Sequence, residues 1–167
     1  MRKLLIIFAV MLSLPALAQR ASVSTDALGL LGATPNIELS AAVSDRITVH
    51  VQTAVNPFES VYAGFSLTHL AVSAESNYWL QRPYYSHGFG VNALASIYEI
   101  KMNDLERKGM GLGLGLVYSY GVILSRRWAL VPSLGVGCVF YEDAYSGERA
   151  LKPALTKLKV GFCYIID

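Results

Sequence analysis

The sequence predicts an all-β fold, an eight-stranded antiparallel transmembrane β-barrel preceded by a cleaved signal peptide. Three observations predict it: an apolar leader, a repeated alternation of apolar residues with small or polar ones, and connections that are alternately short and long. Hydrophobic residues make up 53% of the chain and charged residues 16%. No run of about 18 apolar residues, the length of a membrane-spanning helix, follows the leader. This excludes a helical membrane protein, whereas a barrel distributes its hydrophobicity in alternation.

The leader has the pattern of a secretory signal peptide. Arg2 and Lys3 form a basic start, and the apolar segment that follows is too short to span a bilayer. An Ala-Leu-Ala cleavage site ends at Ala18. We therefore expect a signal peptide at 1–18 and an outer-membrane β-barrel domain at 19–167, with a retained anchor helix as the alternative. No cysteine follows the cleavage site, so a lipoprotein anchor is not expected.

The charge balance argues against a nucleic-acid partner. The chain has 14 Lys and Arg residues and 12 Asp and Glu residues. Two of the basic residues, Arg2 and Lys3, belong to the leader, so the mature chain is formally neutral. Binding of nucleic acid needs a clustered basic surface instead.

The clearest strand is 109–124, where small residues, mostly glycine, alternate with large apolar ones. Gly109, Gly111, Gly113 and Gly115 fall in one class, and methionine, leucine, tyrosine and valine fill the other. Because successive side chains of a strand point to opposite faces, one face is apolar and the other is nearly bare. A helix would scatter these glycines at a cost of about 1 kcal/mol each. The apolar face suits lipid, and the bare face suits a crowded interior.

The same alternation recurs along the chain and predicts eight strands. An even number of alternating segments, each of about ten residues, is typical of bacterial outer-membrane barrels. The predicted strands are 21–32 (the weakest), 36–43, 47–55, 70–80, 88–97, 109–124, 128–140 and 157–166.

Strand parity fixes the length of two short turns. Directly opposed residues of a hairpin share a face of the sheet. Val43 must therefore face Ile47, and Leu124 must face Trp128. Each turn then has three residues, which is a common hairpin length.

The other connections, at 56–68, 101–108 and 142–155, are longer and more polar. Short turns on one side and long loops on the other are the outer-membrane arrangement. With both termini in the periplasm, the long loops face outward. We expect the loops 101–108 and 142–155 to carry any recognition of a partner, because recognition tends to lie on loops of a rigid scaffold.

Eight polar residues fall in the inward-facing class. They are Glu38, His50, Gln52, Glu75, Asn77, Asn92, Lys157 and Lys159. An eight-stranded barrel is just wide enough for side chains to fill it, and unpaired buried charge is costly. We therefore expect a polar plug in which carboxylates pair with lysines, and a narrow ion path is the alternative.

Four aromatic residues of the outward class are expected to anchor the barrel at the membrane interfaces. Tyr78, Trp128 and Tyr164 lie near the periplasmic strand ends, and Phe140 lies near the outer end. For tyrosines elsewhere, packing on the sheet is an equal explanation.

Parity also predicts two local features. Cys138 falls in the outward class and Cys163 in the inward class, and cysteines on opposite faces cannot form a disulfide without backbone movement. We therefore expect two free thiols, even in an oxidising compartment. Pro132 removes a hydrogen-bond donor from its strand. Because the apolar parity is unbroken across it, we expect a missing bond rather than a bulge.

A soluble lipocalin-like barrel, with its apolar class inside, is the alternative architecture. In such a barrel the class of small and polar residues would face water, and it should be rich in lysine and glutamate. Here that class consists mainly of glycine, serine, asparagine and alanine. The composition therefore favours the membrane barrel.

Short segments spread over the mature chain carry a family resemblance. They are Thr34-Pro35-Asn36, Asn56-Pro57, Glu75 with Tyr78-Trp79, His87-Gly88-Phe89 with Asn92-Ala93-Leu94, Tyr118-Ser119-Tyr120-Gly121, Ile123-Leu124-Ser125-Arg126-Arg127-Trp128, Thr156-Lys157 and Tyr164-Ile165-Ile166. In this order they resemble the uncharacterised Bacteroidota outer-membrane β-barrel domain, a domain of unknown function with small OmpA-like barrels. The resemblance implies an eight-stranded barrel in the outer membrane and supplies no reaction. Members often carry an inward arginine where this chain has Asn77, which puts a lumen ion pair there in question.

The last strand looks like an assembly signal for the barrel-insertion machinery. It reads Lys159-x-Gly161-x-x-Tyr164-x-Ile166, without the terminal aromatic residue common in proteobacterial versions. The resemblance thus implies two partners, the insertion machinery and outer-membrane lipid.

No motif predicts catalysis, a metal site or a cofactor. Gly88 to Ala93 matches G-x-G-x-x-A, but the strand and helix that a dinucleotide site needs do not flank it. The three histidines, His50, His69 and His87, lack metal-ligand spacing. Ser86 and His87 are adjacent and so point to opposite faces of a strand, which disfavours a nucleophile–base pair.

We expect a small outer-membrane β-barrel of structural or interaction type, with a filled lumen. Its surface loops would be displayed or would dock a protein partner. A narrow channel for ions or small solutes is the first alternative, and an outer-membrane hydrolase is the second.

Overall fold

The computed structural model describes residues 20–58, 65–102, 105–143 and 149–166, which form eight β-strands and one short helix. The predicted signal peptide at 1–18 lies outside the described residues. The elements in chain order are β1 (Arg20–Asp26), α1 (Ala27–Leu31), β2 (Asn36–Ala42), β3 (Ile47–Asn56), β4 (Phe65–Trp79), β5 (Ser86–Met102), β6 (Leu105–Ile123), β7 (Trp128–Asp143) and β8 (Arg149–Ile166).

The eight strands are antiparallel and close into a ring. Each strand pairs with its neighbours in chain order, and β8 pairs with β1, for example at Ala21 and Ile166. Because the last strand pairs with the first, no strand forms the outer edge of an open sheet. The prediction of eight antiparallel strands is confirmed.

The three-residue turns are also confirmed. The Val43 amide donates to the Ile47 carbonyl at 2.9 Å, and the Leu124 amide donates to the Trp128 carbonyl at 2.9 Å. These turns and the turn between β4 and β5 lie at one end of the ring, which we call the turn end. The opposite end, with α1 and the other connections, is the loop end.

The first predicted strand, 21–32, is wrong in its second half. Strand β1 ends at Asp26, and the helix α1 follows it directly. The Asp26 carboxylate accepts hydrogen bonds from the amides of Leu28 at 3.0 Å and Gly29 at 3.2 Å, which caps the helix. This capping satisfies the first amides of α1 and turns the chain out of the sheet.

The predicted long connections are shorter than expected, because the strands extend into them. Strand β5 runs to Met102 and β6 starts at Leu105, so most of 101–108 is a paired hairpin. Pairing of β7 with β8 likewise continues into 142–155, and β4 begins inside 56–68. Opposite charges on facing residues stabilise such extensions. Glu99 faces Lys108, and their Oε2 and Nζ atoms lie 3.0 Å apart.

The side chains of the ring are sorted with apolar groups outside. Among the described residues that are buried, fifteen are polar or charged and nine are hydrophobic. Large apolar side chains are exposed on every strand from β2 to β8, and Leu114 on β6 is 70% exposed. This is the opposite of the soluble lipocalin-like alternative. Among the described residues, no helical segment has the length and hydropathy of a transmembrane helix.

The pairing of β7 with β8 contains one irregularity. Pro132 pairs with Val160 in unbroken register, as parity predicted. The register shifts instead between Gly135, which pairs with Lys157, and Val136, which pairs with Leu155. The shift leaves Thr156 as an extra residue on β8, and this residue is buried. Such a bulge changes the direction of a strand locally and re-aims its side chains.

Candidate functional site

The structure brings the predicted lumen residues together inside the ring. The buried residues of this set are Glu38, His50, Glu75, Asn77, Asn92 and Lys159. The Lys157 side chain is 10% exposed, and Gln52 lines a cavity in the lumen. These residues come from β2, β3, β4, β5 and β8, so the set crosses the lumen.

Glu38 is the centre of the polar interior. Its Oε1 atom lies 2.7 Å from Lys159 Nζ and 3.1 Å from His50 Nδ1, and it accepts a hydrogen bond from Ser24 Oγ at 3.1 Å. Its Oε2 atom lies 3.6 Å from Lys157 Nζ. A buried carboxylate is stable only when such partners compensate its lost hydration.

Glu75 forms the second acidic position. Lys157 Nζ donates to Glu75 Oε2 at 2.5 Å, and Asn77 Nδ2 donates to Glu75 Oε1 at 2.6 Å. Lys157 therefore joins the two carboxylates, and Lys159 pairs with Glu38 alone. The resulting ionic layer of two glutamates and two lysines is formally neutral. At the position where the resemblance implied an inward arginine, Asn77 supports Glu75 through a hydrogen bond and not through an ion pair.

A chain of hydrogen bonds extends the ionic layer towards the turn end. Trp79 Nε1 donates to Thr48 Oγ1 at 2.9 Å, and Thr48 Oγ1 lies 2.7 Å from His50 Nε2. The Thr48 hydroxyl accepts a hydrogen bond from tryptophan, and it can donate its own hydrogen bond to His50 Nε2. In the tautomer that fits this direction, His50 carries a proton on Nδ1 and donates it to Glu38 Oε1 at 3.1 Å. The chain of contacts from Trp79 thus ends at the Glu38 carboxylate.

A compact cluster closes the lumen at the turn end. Its buried members are Trp79, Tyr84, Ala129, Val131, Cys163 and Ile165. Tyr84 enters the ring from the turn between β4 and β5, and its hydroxyl lies 3.0 Å from Ser40 Oγ. Burial raises the pKa of the Tyr84 phenol above its ordinary value. We call these six residues the turn-end cluster.

The turn can fold this deeply because Gly121 has no side chain. A Cβ atom on Gly121 would lie 2.2 Å from the Tyr84 carbonyl oxygen. Tyr84 itself has φ of 62° and Ser86 has φ of 65°, in the region that non-glycine residues rarely occupy. Tertiary packing around the tyrosine ring holds this conformation.

The loop-end half of the lumen contains a cavity of about 280 Å³. Its lining includes small side chains, such as Ala54, Ala71 and Ser73, together with Lys157 and Lys159 of the ionic layer. Three buried polar atoms on its lining residues have no hydrogen-bond partner. They are His69 Nδ1, Asn92 Oδ1 and Thr156 Oγ1. The lumen is therefore unevenly filled along its length.

The bare face of β6 receives side chains from other strands. A Cβ atom on Gly115 would lie 2.1 Å from Thr156 Oγ1 and 2.8 Å from Asn92 Oδ1. Asn92 Nδ2 in turn donates to the Thr156 carbonyl at 3.2 Å, across the lumen from β5 to β8. The glycine leaves the room in which this contact forms.

The four predicted interface aromatics lie on the outside of the ring. Trp128 is 48% exposed, and its ring contacts that of Tyr164 at a centroid distance of 5.2 Å. Tyr78 lies at the turn end and accepts a hydrogen bond from Arg46 at 3.2 Å. Phe140 is exposed on the loop-end half of β7. All four residues therefore occupy outward positions of their strands.

The residues weighed for catalysis do not form a nucleophile–base pair with each other. His87 lies on the outside, and its Nδ1 atom is 2.8 Å from the Tyr118 hydroxyl. Cys138 is exposed and Cys163 is buried, and both are free thiols, as parity predicted. In the described part of the chain, no group of three or more His, Cys, Asp or Glu residues could hold a metal ion.

The predicted lumen set lacks three residues that the structure places inside the ring, Trp79, Tyr84 and Thr156. Trp79 falls in the inward class by parity, and its large side chain is a readable signal that it fills the lumen. Tyr84 lies in a turn, where no periodicity indicates a direction. Thr156 points inward because of the bulge, and the two polar residues between Leu155 and Leu158 were a readable signal of it.

Comparison with known proteins gives a family but no activity. The chain matches the protein family of unknown function DUF3575 over residues 4–166. No curated protein and no solved structure matches it. The predicted likeness to a domain of unknown function is thus confirmed over nearly the whole chain, while the bacterial group and the OmpA-like character stay predictions. The chain belongs to the DUF3575 family.

Proposed function

We propose that this chain is an outer-membrane β-barrel of structural or interaction type, exported by a signal peptide at 1–18. The observation that carries the proposal is the inverted sorting of side chains. An ionic layer lies inside the ring, and exposed apolar residues surround it. A continuous apolar exterior of this extent is unfavourable in water and matches a lipid environment.

A lumen that is blocked at one end and in the middle favours a structural or interaction role over transport. The turn-end cluster closes one end, and the ionic layer crosses the middle. An ion moving through would have to separate Lys157 and Lys159 from their carboxylates. Leaving one buried charge of such a pair without its partner costs about 3–5 kcal/mol.

The loop-end hairpins are the surface that would meet a partner. On the β5–β6 hairpin, Glu99 pairs with Lys101 at 3.1 Å and with Lys108 at 3.0 Å. On the β7–β8 hairpin, Arg149 Nη2 donates to Glu142 Oε1 at 2.8 Å. These hairpins extend from the ring as paired strands, so they present charged side chains on a rigid support. The partner would be a protein with complementary charge.

Assembly would involve the seam between β1 and β8. The last strand carries the sequence that resembles an insertion signal, and Ile166 of this strand is exposed on the outside. The seam pairs the first strand with the last, as at Val23 and Tyr164. Recognition of β8 by the insertion machinery before the ring closes is consistent with this placement.

The experiment combines reconstitution with cross-linking in cells. The mature chain should fold into lipid vesicles and stay silent in planar bilayers. A photo-cross-linker placed at Lys108 or Arg149 should give a discrete protein adduct in intact cells, and the same group at Leu114 should give none. Steady conductance of the wild-type chain, or failure to enter vesicles, would contradict the proposal.

A narrow channel is the second candidate, and the cavity of about 280 Å³ favours it. The cavity occupies the loop-end half and reaches the ionic layer at Lys157 and Lys159. Only that layer and the turn-end cluster then separate it from the other end. Single-channel steps that change with Lys157→Met would identify this function.

A further inference from the structure

Basic side chains are concentrated at the turn end of the ring. The described residues of this end include five arginines and one acidic residue, Asp45. The arginines are Arg20, Arg46, Arg82, Arg126 and Arg127, and all five are exposed. The described loop end instead mixes both signs, with Glu99 and Glu142 beside lysines and Arg149. Although the mature chain is formally neutral, its turn end is cationic.

Three of these arginines line one cleft. The cleft has a volume of about 440 Å³ and lies between the β2–β3 and β4–β5 turns. Arg20, Arg46 and Arg82 line it together with Asp45. Its volume is within the range of small-molecule sites, about 300–1,000 Å³. Arginine presents a planar fork of donors that matches phosphate oxygens in pairs.

The cleft borders the apolar exterior. Arg46 Nη1 donates to the hydroxyl of Tyr78, which is 46% exposed on the outside of the ring. Next to Arg46, Val43 and Ile47 are exposed apolar residues. The Arg46 guanidinium therefore stands where the cationic cleft meets the apolar exterior.

The same arrangement of arginine and tyrosine recurs around the turn end. Arg127 Nη1 donates to the Tyr164 hydroxyl at 3.3 Å, and the Arg82 guanidinium lies 5.1 Å from the centre of the Tyr85 ring. Tyrosine hydroxyls commonly lie at the level of lipid headgroups. These contacts hold the guanidinium groups at that level.

We propose that the turn-end cleft binds the phosphodiester headgroup of an anionic glycerophospholipid. This inference rests on the proposed membrane location. The phosphate would bind between Arg46 and Arg82, and the acyl chains would continue along Val43, Ile47 and Tyr78. A lipid satisfies both the cationic cleft and its apolar border, whereas a soluble phosphate satisfies only the cleft. Basic pockets at a membrane surface bind headgroups in this way.

The test is native mass spectrometry of the folded chain in detergent micelles, titrated with phosphatidylglycerol or with phosphatidylcholine. We expect the first phosphatidylglycerol to bind more tightly than the first phosphatidylcholine. Arg46→Gln with Arg82→Gln should weaken phosphatidylglycerol binding by about fivefold per arginine and leave phosphatidylcholine binding unchanged. Arg46→Lys with Arg82→Lys keeps the charge and should give a smaller loss.

The matched control removes the same charge at the loop end. Arg149→Gln with Lys152→Gln also removes a cation that lies over a tyrosine, since Lys152 Nζ is 5.0 Å from the Tyr141 ring centre. This variant should keep the preference for phosphatidylglycerol. An equal loss in both variants, or no preference in the wild type, would overturn the proposal.

Two further arms separate the sources of phosphate and the two proposals. If inorganic phosphate at equal concentration displaces phosphatidylglycerol, the cleft is a site for soluble anions and the lipid proposal is wrong. Folding into vesicles of phosphatidylcholine alone tests the membrane barrel without the cleft. If the chain folds in these vesicles but shows no headgroup preference, the membrane barrel stands and the lipid site is wrong.

Discussion

The two halves of the lumen are filled differently. The turn-end half holds Trp79 and Tyr84, which are fully buried and packed against small and branched residues. The loop-end half has alanine and serine at corresponding inward positions, and it contains a cavity and three of the four unpartnered buried polar atoms of the described residues. The ionic layer separates the two halves. Blocking of the lumen therefore depends on side-chain size at the turn end and on paired charge in the middle, and not on the number of strands alone.

Removal of the central carboxylate should have the largest effect. Glu38→Gln leaves Lys159 buried without its counter-charge and weakens the contacts of Lys157 and His50. We expect the free energy of unfolding to fall by about 3–5 kcal/mol. Urea unfolding in detergent micelles measures this loss.

Two controls accompany this prediction. Glu142→Gln removes a carboxylate that pairs with Arg149 at the surface, and it should cost no more than about 1 kcal/mol. Combining Glu38→Gln with Lys159→Met should recover part of the loss, because the second change removes the uncompensated charge. Equal losses for Glu38→Gln and Glu142→Gln would mean that the ionic layer is solvated, contrary to the account.

Enlarging one alanine in each half tests the difference in packing. Ala129 belongs to the fully packed turn-end cluster, and Ala71 lines the cavity. Ala129→Leu should reduce the free energy of unfolding by about 1–3 kcal/mol through overpacking. Ala71→Leu should leave it unchanged or raise it, because the leucine enters empty space. A larger loss for Ala71→Leu than for Ala129→Leu would refute the comparison.

The smallest expected effect concerns the phenol that closes the turn end. Tyr84→Phe removes the contact with Ser40 and should cost about 0.5–1.5 kcal/mol. The neighbouring Tyr85 is exposed, so Tyr85→Phe is the matched control and should cost less. Unfolding free energies of the two variants at neutral pH give the comparison. If Tyr85→Phe lost as much stability as Tyr84→Phe, the assignment of Tyr84 to the turn-end cluster would be contradicted.

The pH dependence of the same pair has a defined sign. Burial raises the pKa of Tyr84 in the folded chain above the unfolded value of about 10. The stability that the protonated Tyr84 phenol contributes is fully present below about pH 10. It is lost as pH rises through the folded pKa, because the unfolded chain releases the proton first. Above pH 10, stability should therefore fall less steeply in Tyr84→Phe than in Tyr85→Phe. Identical slopes would show that the phenol is solvated.

The strands and their faces could be predicted because alternation is a local property. Period-2 patterning identified the eight strands, and parity alone fixed the turns after Val43 and Leu124. It also separated Cys138 from Cys163. These predictions need no knowledge of distant contacts, because each strand reports its own two faces.

The misses arose where alternation carries no information or is interrupted. At Asp26 a helix cap competes with the strand, and the Asp-to-Gly spacing over 26–32 is a weak signal for so short a helix. The alternation predicts a loop at 101–108 because charge replaces apolar residues there, yet pairing continues through Glu99 and Lys108. The cavity and the inward position of Tyr84 depend on contacts across the lumen, and no sequence period encodes them.

In the proposed membrane barrel, the apolar face of the ring lies against lipid and the polar face lines the lumen. Native Cys138 in a Cys163→Ala chain provides an outward spin-label site, and Gln52→Cys in a cysteine-free chain provides an inward site beside the cavity. In vesicles, we expect the label at position 138 to be relaxed by oxygen and shielded from a water-soluble nickel chelate. The label at position 52 should show the reverse. Relaxation of both labels by the nickel chelate would contradict the membrane barrel.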